Sequence, residues 1–152
     1  MGGVTLSITV DDKAVRNLFA EIQRRGASPR PALKAIGEYM LRRTDERFRA
    51  ETDPDGNPWQ PLSAATLEKK KPGLKILQGD TNLLRDEINK RVDSDSVGIG
   101  TALIYGAIHQ LGGKAGRGRK VTIPARPYLG VNDKDLREFV EILADHLTEL
   151  ES

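Results

Sequence analysis

A chain of 152 residues is long enough for one domain with a real core and too short for two. Charged residues make up 30% and aromatics 5%, so the core must be mostly aliphatic, and a net charge of +2 is too small for a surface wholly devoted to nucleic acid. No cysteine is present, which excludes disulfides, thiolate metal sites and cysteine nucleophiles together.

The opening residues, MGGVTLSITVDD, contain no basic region followed by an apolar run, so no signal peptide is expected. No apolar stretch approaches the roughly 18 residues of a membrane span. Val4, Leu6, Ile8 and Val10 alternate with polar residues, the period of a half-buried strand. Asp11 or Asp12 then caps a helix whose apolar stripe is Val15, Leu18, Phe19 and Ile22, ending near Gly26. A second helix runs from Pro31 to Glu51, about 30 Å at ~1.5 Å per residue. Leu33, Ile36, Met40, Leu41, Thr44 and Phe48 face inward on it, with Arg42, Arg43, Asp45, Glu46, Arg47 and Arg49 mostly outside.

Asp53 to Ser63 is a turn-rich loop carrying the single tryptophan. Its aspartates raise a calcium loop, but the later ligands and the bidentate glutamate of an EF-hand are missing. Trp59, held between Pro58 and Pro61, reads as a plug at the core edge. Ser63 can cap a short helix, Ala64 to Lys71, which Pro72 and Gly73 end. Lys69, Lys70, Lys71 and Lys75 read as a solvated basic face. Glu87–Val92 and Val97–Gly100 resemble strands joined by the polar turn Asp93 to Ser96.

Ile104, Tyr105, Ala107, Ile108 and Leu111 are spaced as a buried helical face, which Gly112 and Gly113 stop. Gly112 to Lys120 then holds four glycines and four cations, Lys114, Arg117, Arg119 and Lys120. With Arg126 the stretch to Gly130 carries five cations and no carboxylate. This reads as a mobile basic arm at about 112–120, reaching outside its own domain. The last helix, Asp133 to Leu150, is amphipathic, and residues 133–152 hold seven carboxylates against Lys134 and Arg137, a local charge of −5. The expected fold is a single α+β domain over 1–152: long helices packed on a small, mostly antiparallel sheet, with an extended basic arm.

No catalytic, cofactor or metal constellation emerges. His109 lies in an apolar run, where a structural histidine is the simpler reading, and His146 on a polar helix face. No zinc-ligand spacing, nucleophile elbow or complete phosphate loop occurs.

Four segments in order carry a family signal: Asp55-Gly-Asn-Pro-Trp-Gln-Pro-Leu-Ser63 with Thr66 and Lys69; Ile76-Leu-Gln78 with Leu84-Arg-Asp86; Tyr105-Gly-Ala-Ile-His-Gln-Leu-Gly-Gly113; and Ile123-Pro-Ala-Arg-Pro-Tyr-Leu-Gly130. Together they resemble the phage virion morphogenesis family, the tail completion or tail-to-head joining proteins of contractile-tailed phages and Mu-like prophages. Asn82 departs from it, standing where a glycine often follows threonine. The resemblance implies a non-enzymatic structural subunit without cofactor, acting in the host bacterial cytoplasm during assembly and retained in the virion. It implies other phage head, neck or tail proteins as partners, and a homo-oligomeric ring, with no membrane. Trp59, His109 and Arg126 belong to these motifs, and Lys114, Arg117, Arg119 and Lys120 are the candidate partner-binding residues. The competing class is a DNA-binding accessory protein with those four cations on phosphates, for which a log–log salt slope of roughly −3.6 is expected. A ring subunit lining a DNA channel would combine the two. No motif supports a hydrolase.

Overall fold

The computed structural model describes residues 4–7, 12–70, 73–78 and 83–151. The expectations at Ile8, Val10, Lys71, Pro72 and Asn82 lie outside them. Asp12 caps the first helix, α1 (Lys13–Arg24), its side chain accepting from the Val15 amide at 3.0 Å. Pro31 stands in the first turn of α2 (Arg30–Ala50), where a missing N–H costs nothing. Ser63 caps α3 (Ala64–Lys69), and one helical turn, α4 (Leu83–Asp86), follows.

Strand β1 (Val4–Ser7) pairs with β3 (Val97–Thr101), which also pairs with β2 (Asn89–Val92). All pairing is antiparallel, with Thr5 opposite Gly100 and Lys90 opposite Ile99. The central strand β3 buries Val97, Ile99 and Thr101, alternate residues on one face. Helix α2 lies on β2 and β3, and Gly37 sets how closely. A Cβ there would stand 3.0 Å from Val97 Cγ2 and 3.1 Å from Lys90 Cδ.

On its other side α2 meets α6 (Asp133–Leu150), which also packs against α1. The core between these layers is aliphatic with a few rings: Ile22, Met40, Ile99, Phe139 and Leu143 are almost wholly buried. Phe48 joins Trp59, edge-on at 5.7 Å, to Tyr128 at 5.1 Å. The α+β architecture agrees with the patterning.

Three sequence expectations are corrected here. Arg47, placed outside on α2, is only 3% exposed. It stands three residues after Thr44 and seven after Met40, on the buried stripe itself. On α5 (Ile104–Leu111) the apolar residues do not form a buried face, because Tyr105 is 41% and Leu111 72% exposed. The small Gly106 turns inward instead, beneath Thr101 and the Tyr128 hydroxyl. Of the lysines read as a solvated face, Lys70 donates to the Gln78 carbonyl and Lys75 to the Arg49 carbonyl.

The basic arm folds as a two-stranded hairpin, β4 (Gly113–Ala115) and β5 (Val121–Ile123), with a 3-10 turn at Arg117–Arg119. Its tip takes positive φ at Gly116, Gly118 and Arg119, which the two glycines adopt without steric cost. The hairpin packs on α5.

Candidate functional site

Segments distant in sequence converge behind the hairpin. Trp59, 4% exposed, donates its indole N–H to the Pro127 carbonyl at 2.8 Å. Arg126, 6% exposed, donates Nε to the Gln60 carbonyl at 2.8 Å and Nη2 to the Pro61 carbonyl at 3.1 Å. Arg126 therefore splints the tryptophan loop and is not an outward charge of the arm. Gln110 binds the extended 126–130 segment: its Oε1 accepts from the Tyr128 and Leu129 amides, both at 3.0 Å, and its Nε2 donates to the Leu129 carbonyl. The Tyr128 hydroxyl closes the joint on the Gly106 carbonyl at 2.6 Å.

Below this joint lies a polar centre. Asp135 is fully buried, and its Oδ1 accepts from the Tyr39 hydroxyl at 2.8 Å and Arg43 Nε at 3.0 Å. Its Oδ2 accepts from Arg47 Nη2 at 2.7 Å and the Asn132 amide at 3.0 Å, while the Asn132 side chain caps the Asp135 amide. Arg47 also donates to the Gly130 carbonyl, and Asn132 to the Pro54 carbonyl. Burial alone would raise the Asp135 carboxyl, but the Asn132 amide, Tyr39 and the two guanidinium groups hold it below its ordinary value. Burial and the Asp135 charge push the Tyr39 hydroxyl up to about 12. Asp135 is thus the one carboxylate of the amphipathic last helix that faces inward. The Asn132-x-x-Asp135 spacing ahead of an apolar run was the available signal. Gln110 had none, since nothing local distinguishes an amide that satisfies a distant strand.

Between the 60–66 segment, α3, α5 and β5 opens a cleft of about 580 Å³. Lys70, Tyr105, His109, Val121, Thr122 and Arg126 are among its lining residues, and none of its described lining residues is a carboxylate. Burial lowers the His109 pKa, and the Arg126 and Lys70 charges lower it further, so the ring is neutral near pH 7. His109 Nδ1 is buried with no partner among the described residues, while the His109 carbonyl accepts the Arg126 amide at 2.7 Å. Lys114 on β4, Arg117 and Arg119 in the turn, and Lys120 after it are exposed, with no ion pair to any described residue. They stand on the hairpin and do not converge with Trp59, His109 and Arg126. Among the described residues no group of three His, Cys, Asp or Glu could hold a metal ion. No helix of the described residues is long and apolar enough to cross a membrane.

Three of the four motif segments therefore meet at this joint, and residues 10–148 match the profile of the phage virion morphogenesis family. The chain belongs to the phage virion morphogenesis family. Two similar proteins bear this out. Mu-like prophage FluMu G protein 2 of Haemophilus influenzae is 46% identical over 77 residues, 48% of this chain and 56% of that protein. The match thus spans about half the length of that relative. Protein G of Escherichia phage Mu, provisionally named for capsid assembly, is 30% identical over 149 residues, 91% of each chain. No solved structure matches the chain. Family membership places the protein in virion morphogenesis, and the joint built from Trp59, Gln110, Arg126 and Tyr128 is how this member holds its motifs together.

Proposed function

We propose that the protein is a structural subunit that completes the tail or joins tail to head, acting through protein–protein contacts as a member of a ring. The observation carrying this reading is a hairpin with four exposed, unpaired cations, set against an acidic final helix. The outward charges are slightly smaller than the sequence sum. Arg126 is buried, leaving four of the five cations on the arm. Asp135 is buried too, leaving six carboxylates against two cations after residue 132, a net −4. A neighbour's α6 is then a complementary surface for the hairpin, and such head-to-tail contacts close into rings when the rotation allows. Capsid assembly, the provisional role of the phage Mu relative, is compatible with a subunit at the head–tail junction.

Exposed pairs contribute about 0–1 kcal/mol each and are screened by salt, so the ring contact is weak alone and completed on a phage platform. Replacing Lys114, Arg117, Arg119 and Lys120 together by serine is expected to move the melting temperature by only a few degrees (~1 kcal/mol or less) and to block formation of infectious particles. Analytical ultracentrifugation across salt concentrations, alongside a complementation assay, measures both. A quadruple variant that assembles and complements like wild type means the arm is dispensable.

The same four cations favour a second reading, contact with DNA phosphates in a channel. Its signature is a salt slope near the roughly −3.6 of four contacts, abolished in the quadruple variant.

A further inference from the structure

The hairpin's four cations do not account for the cleft beside it. Among the described residues, strand β5 pairs with β4 alone, on one side. Residues 121–124 line the cleft and no residue of β4 does, so the cleft runs along the side of β5 turned away from its partner strand. An unpaired strand edge is a template for another strand. Apolar surface gathers there as well: Tyr105 and Val121, 41% and 54% exposed, both line the cleft. Lys70 and His109 add donors, and no described lining residue is a carboxylate.

From this juxtaposition we infer that the cleft receives an extended segment of another virion protein, which adds a strand to the free edge of β5. Its apolar side chains lie on Tyr105 and Val121, and a carboxylate meets Lys70. Backbone hydrogen bonds supply affinity in strand addition, while alternate side chains supply specificity. Charge complementarity selects this occupant over a second copy of the hairpin. Pairing β5 with the β5 of another subunit would bring two sets of Lys114, Arg117, Arg119 and Lys120 together. DNA offers no strand for the edge and no use for the apolar lining. The inference rests on the assembly reading for the nature of the partner, but its test does not require assembly.

The test is amide NMR of the full-length protein titrated with a blocked peptide of alternating valine and glutamate. Two controls are its valine–lysine counterpart and a version N-methylated on the backbone. The expected result is saturable shifts confined to residues 121–123, Tyr105, His109 and Lys70. The lysine peptide should bind about tenfold more weakly, the scale of one hydrogen bond to a charged group, and the N-methylated peptide should not bind. Lys70→Gln should remove the preference for glutamate while leaving the valine–glutamate peptide on the same residues. No binding, shifts elsewhere, or equal binding of the N-methylated peptide overturns the proposal. So does a concentration-dependent shift of 121–123 without peptide, which would identify a second copy as occupant, or displacement of the peptide by duplex DNA. If the peptide binds while the quadruple arm variant still complements, the ring contact is wrong and the cleft stands. If the arm variant fails as expected but the peptide does not bind, only the cleft is wrong.

Discussion

Trp59 ties α2 to the 126–130 segment. Its ring packs edge-on against Phe48 of α2, its N–H is satisfied by Pro127, and its backbone amide donates to the Glu51 carbonyl at 2.8 Å. Truncation removes a large buried ring and leaves the Pro127 carbonyl without its donor, so Trp59→Ala should cost about 3–5 kcal/mol in urea unfolding. A loss under about 1 kcal/mol, the range of surface substitutions, would show the ring to be dispensable for packing. Asp135 is the second decisive residue. Asp135→Asn leaves the buried Arg47 without its anion, while Arg43 keeps Glu46, and breaking a buried pair in this way costs about 3–5 kcal/mol. The pH dependence follows from the lowered carboxyl pKa. Its contribution is present above the unfolded value of about 3.9 and is lost as pH falls through the lower folded value. Urea midpoints of wild type and variant, measured from neutral pH downward, should therefore converge only below about pH 4. A constant gap across that range would mean the carboxylate's charge is irrelevant to the site.

At the scale of elements, the hairpin and α2 make opposite use of their residues. Helix α2 buries nine residues along 21 and is covered by the sheet on one side and α6 on the other. The hairpin is two strands of three residues with no buried position. A lone two-stranded ladder is marginal in water, and four like charges in its tip repel one another. In the isolated subunit the amides of 112–120 should exchange quickly with deuterium while those of α2 stay protected. Strong protection of the hairpin in a dilute monomer would refute the mobile arm, and with it the idea that ordering occurs on contact with a partner. The 126–130 segment, pinned by Gln110 and Tyr128, is expected to side with α2.

For the whole molecule, the joint behind the hairpin fixes where the hairpin leaves the frame. The segment after β5 is anchored through Arg126 to the tryptophan loop and through Gln110 to α5, and two residues after Gly130 the chain enters the Asn132–Asp135 cap. A frame pinned by side-chain bonds and carrying a short exposed hairpin suits a protein of virion morphogenesis. The elements were largely legible in the chain. Period-two alternation, the Asp12 and Ser63 caps and the stripes of α1, α2 and α6 are all local signals. The ordered motifs around Trp59, Tyr105 and Arg126 were enough to suggest the family. Local pattern could not say which polar residues go inside. Arg47 and Asp135 read as surface charges because a buried ion is tolerable only if its partner is buried beside it, and those partners lie 88 residues apart. Tyr105 and Leu111 read as core because periodicity reports which residues share a face, not whether anything covers it. The cleft along β5 belongs to the same class of fact: it exists only once α3, α5 and the hairpin are brought side by side, and that is a decision of tertiary packing.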